Sequence, residues 1–332
     1  MAKIDARAVG RYIRDILLGL IGAGVLLLLG GIYLTHSFTW ADVYNKLGLS
    51  APQSDEGLGS PTFEIVEGEL HGETAEVSFL AVGQGDCTVI RSGGMTAIID
   101  GGYLDSASKI SSFIKANDIK TVDYLFITHP HTDHIGSVSV ILNSCEVKRC
   151  VMTHYADELT PTGNTYLRLL RQLAALKVPT SLAGDGETFA LGGGVITALL
   201  AGGFDDLNDC SLILRFDYGS RSFLLMGDAG FAPEYELLQS GANIESDVIK
   251  IGHHGSKYAT SGAFLAAVAP RYAVISCGAG NMYGYPTEEV VYIINKQGAQ
   301  MFSTDTGQDV VFKTDGELLN VYLMGETNEI QR

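Results

Sequence analysis

Three histidines and one aspartate fall within six consecutive residues, in the segment His129-Pro130-His131-Thr132-Asp133-His134. The segment follows the apolar run 124–127, a predicted buried strand, and precedes a predicted helix at about 135–143. A loop between a strand and a helix can turn four donors at this spacing toward one point, whereas a regular strand or helix cannot. Capping the helix would require only one polar side chain. The spacing therefore predicts a metal site on a strand-to-helix loop.

The residue types also restrict the metal. Imidazole and carboxylate ligands together suit zinc, manganese or iron better than magnesium or calcium. Four donors exceed what one tetrahedral ion needs when a position stays open for water. We therefore expect two divalent ions, zinc in the first place and manganese as the alternative.

Further ligand candidates stand at the ends of other predicted strands. Asp228 follows the apolar run 223–226, and the pair His253-His254 follows the run 248–251. Taken alone, each has an ordinary interpretation, as a turn residue or as a helix cap. Beside the histidine cluster, however, they become candidates for the remaining positions of a two-metal site.

The order of predicted elements indicates the fold class. From about residue 73, short apolar runs divided by glycine turns alternate with helical patterns, in both halves of the chain. Strand-rich halves that each carry helices predict two packed mixed sheets with helices outside. We therefore expect one large α/β domain over residues 71–332.

The cluster resembles the His-x-His-x-Asp-His signature of the metallo-β-lactamase superfamily. The whole set of segments is similar to the extracellular metallo-β-lactamase-type domain of ComEC competence proteins and their soluble relatives. Besides residues 128–136, the matching segments are 82–86 (VGQGD), 99–102 (IDGG), 208–211 (NDCS), 227–228 (GD), 253–257 (HHGSK) and 281–284 (NMYG). The resemblance implies an αββα sandwich with the metals at one edge of the sheets.

The resemblance also implies roles for the cluster. His129 and His131 would hold the first ion, Asp133 and His134 the second, and Asp228 would bridge the two. His253 would complete the second site, which leaves His254 to contact substrate or to support a ligand. Whether His253 or His254 is the ligand stays open at this point. The expected catalytic residues are Asp133, Asp228, His254 and Lys257. Asp133 and Asp228 would orient a metal-held hydroxide, and His254 would contact substrate. Lys257 would receive a substrate phosphate, or alternatively be a solvated surface lysine.

Other residues are expected to support the site or to contact substrate. Asp86 and Asp100 would hydrogen-bond backbone amides and ligating imidazoles. Asn208 stands where most members of the superfamily have a histidine, so the first ion would be held more weakly and Asn208 would contact substrate. Asn281 and Tyr283 are candidates for the same task. Tyr285 stands where the ComEC-like branch usually has histidine, which leaves a substrate-contacting role at this position open.

A membrane anchor is expected near the N-terminus. Residues 16–34 carry no charge over 19 positions, which nearly matches the hydrocarbon core of a bilayer. The first 15 residues have four cations against two acidic residues, so positive charge predicts a cytoplasmic N-terminus. We expect a cytoplasmic segment over 1–15, a signal anchor over 16–35 that contacts the lipid bilayer, a stem over 36–70 and an extracytoplasmic hydrolase domain. A cleaved signal peptide and secretion are the alternative.

The net charge limits the ways in which a substrate can be held. The formal charge of −16 disfavours a protein that grips nucleic acid along a basic groove. Bound metal ions reverse that field locally, so a phosphodiester substrate, either DNA or a cell-wall polymer, remains compatible. The expected activity is that of a membrane-anchored, metal-dependent phosphodiesterase. The alternatives are a phosphocholine esterase acting on teichoic acid, a carbonyl hydrolase for β-lactams or thioesters, and a non-catalytic metal-binding partner of a membrane complex.

Overall fold

The computed structural model describes residues 63–325 of the chain. The expected cytoplasmic segment, the anchor over 16–35 and most of the stem lie outside these residues. Among the helices of the described part, none combines the length and the apolar character that crossing a membrane requires.

Two large mixed sheets form the centre of the fold. The first has nine strands, in the spatial order β1 (Phe63–Ile65), β18 (Leu319–Met324), β17 (Asp309–Thr314), β2 (Ala75–Phe79), β3 (Thr88–Ser92), β4 (Met95–Ile99), β6 (Tyr124–Ile127), β8 (Cys150–Met152) and β9 (Thr180–Leu182). The second has seven, in the order β10 (Thr188–Leu191), β11 (Gly194–Ala201), β12 (Leu212–Tyr218), β13 (Arg221–Leu225), β14 (Val248–Lys250), β15 (Tyr272–Ile275) and β16 (Gln300–Ser303). Strands β5 (Thr121–Val122) and β7 (Glu146–Val147) form a small separate pair.

The helices lie on the outer faces of the two sheets. The first sheet is covered by α1 (Ala107–Ala116), α3 (Val138–Ser144) and α4 (Asn164–Leu176), and the short α2 (Thr132–Ile135) carries part of the histidine cluster. The second sheet is covered by α5 (Phe231–Ser240), α6 (Gly262–Val268) and α7 (Glu288–Gln297). The predicted αββα sandwich of two packed mixed sheets is therefore confirmed.

Strands in the middle of the sandwich are apolar on both faces. In β6, Phe126 packs into the core between the sheets, whereas Leu125 and Ile127 pack beneath the outer helices. Successive side chains of a strand point to opposite faces, so a strand covered on both sides must be apolar throughout. This explains why the runs before the candidate ligands show no regular alternation of polar and apolar residues.

The folded part begins earlier than expected. Strand β1 pairs antiparallel with β18, with Phe63 opposite Leu323, inside the segment predicted as stem. Glu67 also attaches this segment to the domain, because its carboxylate accepts a hydrogen bond from the Leu319 N–H at 2.8 Å and forms an ion pair with Arg271. The predicted domain start at residue 71 is therefore too late. A strand of three residues is too short to show a periodic pattern, and its stability comes from the edge of β18.

Candidate metal centre

The candidate ligands meet at one edge of the two sheets. Asp100 directly follows β4, the histidine cluster follows β6, Asp228 follows β13 and His254 follows β14. Strands β4 and β6 run parallel, and so do β13 and β14. The carboxyl ends of parallel strands open at the same edge, which brings side chains distant in sequence to one place.

Four side chains form a compact group of donors. Asp133, His134, Asp228 and His254 offer ligand atoms that all lie within 4.8 Å of one another. Nε2 of His134 lies 3.2 Å from Oδ1 of Asp228, and Nε2 of His254 lies 3.3 Å from Oδ2 of the same carboxylate. Nε2 of His254 also lies 3.4 Å from Oδ2 of Asp133. We call these residues the four-donor group.

Unpartnered atoms in this group test whether it fits a metal ion. Within residues 63–325, Nε2 of His134, Oδ1 of Asp228 and Nε2 of His254 are buried and have no hydrogen-bond partner. Buried polar atoms without a partner are rare because each loses its hydration. Three such atoms converging on one place, of types that bind zinc or manganese, fit a divalent cation.

Hydrogen bonds on the far side of each ring aim the two histidines. Nδ1 of His134 lies 2.7 Å from Oδ2 of Asp100, and Nδ1 of His254 lies 2.8 Å from the Ser276 carbonyl oxygen. Asp100 is itself fixed by the N–H and the hydroxyl of Thr128, at 2.9 and 2.6 Å. With Nδ1 so engaged, Nε2 faces the carboxylates, which is how proteins orient ligating imidazoles. Asp100 thus stands where its expected supporting role requires.

The two histidines expected at the first ion lie beside the four-donor group. Nε2 of His129 is 3.0 Å from Nδ1 of His131 and 3.9 Å from Oδ2 of Asp228. Asn208 lines the same cleft as His131 and Asp228. The imidazoles of His129 and His131 therefore lie next to the four-donor group, on the side of Asp228.

The structure revises the order of the histidine pair. His254, implied as a substrate contact, belongs to the four-donor group, whereas His253, implied as the ligand, does not. The side chain of His253 is 23% exposed, and its Nε2 lies 3.9 Å from Asp228. Both residues have positive φ, 48° for His253 and 55° for His254. Because the strand has ended, side-chain alternation along β14 does not carry over to this pair.

A buried lysine supports the centre, and the sequence interpretation missed it. Lys250 is 3% exposed; its ammonium forms an ion pair with Asp86 and donates to the Gly227 carbonyl oxygen at 2.9 Å. Asp86 was expected to bond ligating imidazoles, but its oxygens lie 3.6 Å from Nδ1 of His254 and 3.9 Å from Nδ1 of His134. Its main partner is instead Lys250. The sequence did contain an indication of this pair, since Lys250 stands inside the otherwise apolar run 248–251.

Two further expectations change. Lys257 is exposed, lies over the ring of Tyr258 at 5.3 Å from its centroid, and is not among the residues that line the cleft. The structure therefore gives no support to its expected role as phosphate receiver. Asn281 does line the cleft, but its amide is engaged by its own loop through bonds to Gly278, Tyr283 and Tyr285. Tyr283 lines the cleft, which has a volume of about 660 Å³.

The electrostatics of the group suit a cation. Burial alone would lower the pKa of His254, but the carboxylates around it, Asp228 foremost, raise it to about 9. Burial opposes charge on His134 too, yet Asp228 and Asp100 raise its pKa well above the usual value. For Asp228, burial is outweighed by these two rings, which hold its pKa well below the usual range. Burial and the neighbouring His134 keep the pKa of His129 well below normal. Positive charge is thus favoured at the position where a metal ion would sit.

Comparison with known proteins gives one family. The model of the Metallo-beta-lactamase superfamily matches residues 80–279. ComE operon protein 3 of Bacillus subtilis is 27% identical over 278 residues, covering 77% of this chain and 35% of that protein. Competence protein ComA of Neisseria gonorrhoeae is 28% identical over 235 residues, covering 70% of this chain and 31% of that protein. The chain thus spans about a third of the length of these relatives.

Among solved structures, the metallo-beta-lactamase fold protein YhfI from Bacillus subtilis covers 70% of this chain and 96% of its own. It aligns with a TM-score of 0.48 at 11% identity.

The matches to the curated relatives confirm the resemblance to ComEC-type competence proteins that the sequence motifs indicated.

Proposed function

The chain belongs to the metallo-β-lactamase superfamily of metallo-hydrolases, and on this premise we propose that it is a phosphodiesterase that cleaves nucleic acid strands. The observation that carries the proposal is the four-donor group, of which His134, Asp228 and His254 are buried, with His129 and His131 beside it. Together these side chains offer enough ligands for two ions at one open edge. When bound, two divalent ions supply a hydroxide at neutral pH and stabilise negative charge on phosphoryl oxygens.

The chain's own residues prepare this chemistry. Oδ1 of Asp228 lies 3.2 Å from Nε2 of His134 and its Oδ2 lies 3.9 Å from Nε2 of His129, so Asp228 is the carboxylate that could serve both sets of ligands. Burial raises the pKa of the Asp133 carboxyl, but the nearby imidazoles of His254 and His134 outweigh burial, lower the pKa and keep the group ionised. An ionised Asp133 at the cleft wall would accept a hydrogen bond from the attacking water or hydroxide and so orient it toward the substrate. Lys250 neutralises Asp86 beneath the site, so that negative charge is concentrated on the ligating carboxylates.

The presence of Asn208 in the cleft favours a phosphodiester over a carbonyl substrate. Within the described residues, the side chains that line the cleft include no lysine or arginine, so substrate charge would be met by the bound ions. Carbonyl-hydrolysing branches of the superfamily retain the histidine that Asn208 replaces here. The name of one curated relative, Competence protein ComA, refers to competence and favours a nucleic acid strand as the substrate.

We also propose that the enzyme is anchored in the cell membrane with the hydrolase domain outside. The support is the uncharged stretch 16–34 after an N-terminal segment rich in cations. Protease added to intact cells should then digest the large domain. Protection of that domain would place it in the cytoplasm, and its recovery from the medium would favour the secreted alternative.

A substrate panel tests the activity. The full chain, loaded with zinc or manganese, would be offered bis(p-nitrophenyl) phosphate, p-nitrophenyl phosphocholine and a chromogenic cephalosporin. We expect the phosphodiester to be cleaved by the wild type, at least a hundredfold more slowly by Asp228→Asn, and nearly normally by Lys257→Ala, the matched exposed control.

Each other pattern contradicts the proposal in a defined way. Cleavage of the phosphocholine ester alone would indicate a teichoic acid esterase, and cleavage of the cephalosporin alone a carbonyl hydrolase. A metal-loaded protein inert toward all three would indicate a non-catalytic metal-binding partner.

A further inference from the structure

Two tyrosine rings lie parallel in the wall of the cleft. The ring centroids of Tyr283 and Tyr285 are 5.5 Å apart and their planes differ by 18°. The ring of Tyr285 also lies 5.8 Å from the ring of His253, whose Nε2 is 3.9 Å from Asp228. Tyr283 is 59% exposed. A row of rings therefore leads from solvent to the candidate metal centre.

The loop that carries these rings is held from inside by one side chain. The amide nitrogen of Asn281 donates to the carbonyl oxygens of Gly278 and Tyr285, at 2.9 and 2.6 Å. Its amide oxygen accepts the N–H groups of Tyr283 and Tyr285, at 3.2 and 3.0 Å. Gly278 N–H in turn donates to the side chain of Gln84. The backbone that carries the two tyrosines is thus held in place before any ligand arrives, which lowers the entropy lost on binding.

Exposed aromatic rings are concentrated at this edge of the molecule. Residues 63–325 contain six exposed aromatic side chains. Three of them stand on the loops that follow β4, β14 and β15, and the fourth is the first residue of α5 after β13, all near the strand ends that surround the four-donor group: Tyr103, Tyr258, Tyr283 and Phe231. A cluster of exposed apolar rings beside a polar centre is typical of a binding surface.

We propose that Tyr283 and Tyr285 form a platform on which a base of the substrate strand stacks, so that these two residues determine the preference of the enzyme for strands that carry bases. The inference rests on the proposed phosphodiesterase function and names the part of the substrate that is recognised. Every base has a π-face, so stacking holds a strand without a basic groove, which this cleft lacks among its described residues. Because the rings of Tyr283 and Tyr285 are parallel to each other, a base that stacks on them continues the same stack.

A quaternary ammonium group is the competing occupant. It binds where several rings surround one point, and two parallel rings do not form such a cage. The carboxylate of Asp105 also lines the cleft and would attract a cation. A phosphocholine ester therefore belongs in the test as an outcome against the proposal.

The experiment compares two strands of equal length and phosphate number, an oligothymidylate and an oligomer with abasic tetrahydrofuran units in place of the nucleosides. The metal-loaded full chain should show a KM about ten- to a hundredfold lower for the oligothymidylate, the range expected for stacking of one or two bases. The double variant Tyr283→Leu/Tyr285→Leu should bring this ratio close to one. Tyr292→Leu, which removes an exposed tyrosine from α7, is the matched control and should keep the ratio.

Direct binding gives a second readout. Metal-free full chain should quench the fluorescence of a dinucleotide that contains 2-aminopurine, and the double variant should not. Equal KM values of the wild type for both strands would overturn the platform and leave the proposed function intact. If neither strand is cleaved, the proposed function fails, and quenching alone then decides the platform. The platform would also be overturned if the double variant showed a higher KM for p-nitrophenyl phosphocholine and an unchanged KM for the oligothymidylate.

Discussion

Nε2 of His254 lies 3.3 Å from Oδ2 of Asp228, closer than Nε2 of the neighbouring His253, at 3.9 Å. The contact follows from the pairing of β13 with β14, which run parallel with Leu225 opposite Lys250. Each strand ends in a glycine-containing turn, and the two turns deliver a carboxylate and an imidazole to the same place. His254, and not His253, is therefore the member of the pair that belongs to the four-donor group.

The histidine pair predicts a difference in metal content. His254→Gln should lose about one of two bound ions per chain, because it removes a buried donor of the four-donor group. His253→Gln is the matched control and should retain both, since its ring lies at the mouth of the cleft. Elemental analysis after dialysis measures this. Equal losses in the two variants would contradict the assignment.

The metal-free protein should lose stability as the pH rises. His254 has a pKa of about 9 in the folded state against 6.5 as an ordinary histidine, because Asp228 outweighs burial. Its contribution is therefore fully present below pH 6.5 and lost as the pH rises through about 9. His134, with a pKa also raised by Asp228, adds to this trend. Thermal unfolding in EDTA, followed by circular dichroism at several pH values, should show the decline.

Two variants serve to check the cause of that decline. His254→Gln should flatten it, whereas replacing the exposed His154 by glutamine should leave it as in the wild type. An unchanged slope in His254→Gln would show that another group is responsible. Because a metal ion replaces the proton, metal uptake should strengthen over the same pH range.

The buried ion pair of Lys250 with Asp86 predicts a strong coupling. Lys250→Met should destabilise the metal-free protein by about 3–5 kcal/mol, since it leaves a buried carboxylate without its partner. Asp86→Leu should be costly for the same reason, but the double variant should cost much less than the sum of the two. Urea unfolding of the four proteins gives the coupling. Strictly additive effects would contradict a direct pair.

Two glycines of one turn should respond differently to alanine. A Cβ at Gly85 would overlap the Asp133 carbonyl oxygen, whereas a Cβ at Gly83 would meet nothing within 4 Å. Gly83 has φ of 71°, so alanine there should cost only about 1–2 kcal/mol of backbone strain. Gly85→Ala should cost more and should also reduce metal content, because it displaces Asp133. Unfolding and elemental analysis of both variants test this, and equal metal content would count against it.

Much of the site could be predicted because its residues lie close together in sequence. The segment 129–134 sits on one strand-to-helix loop, so spacing alone indicates a shared target. Asp228 and Asp100 could be placed because each follows an apolar run that must be a covered strand. The family resemblance then supplied the sandwich, and the two sheets follow from the alternation of strands and helices.

The remaining features depend on contacts that no local pattern shows. His253 and His254 could not be separated because their backbone has positive φ. Lys250 can be buried because its ammonium meets Asp86, on the loop before β3 of the first sheet, and the Gly227 carbonyl oxygen. Asn281 looked available to substrate, but its amide is used by its own loop. Strand β1 is stabilised by an edge formed more than 250 residues later in the chain.

Metal content and phosphodiesterase activity, measured on one sample of the full chain, test the central claim most directly. The protein would be stripped with EDTA, restored with zinc or manganese, and assayed with bis(p-nitrophenyl) phosphate. We predict that activity disappears on stripping and returns as about two ions bind per chain. Activity that is indifferent to EDTA, or a protein that binds less than one ion per chain, would contradict the account.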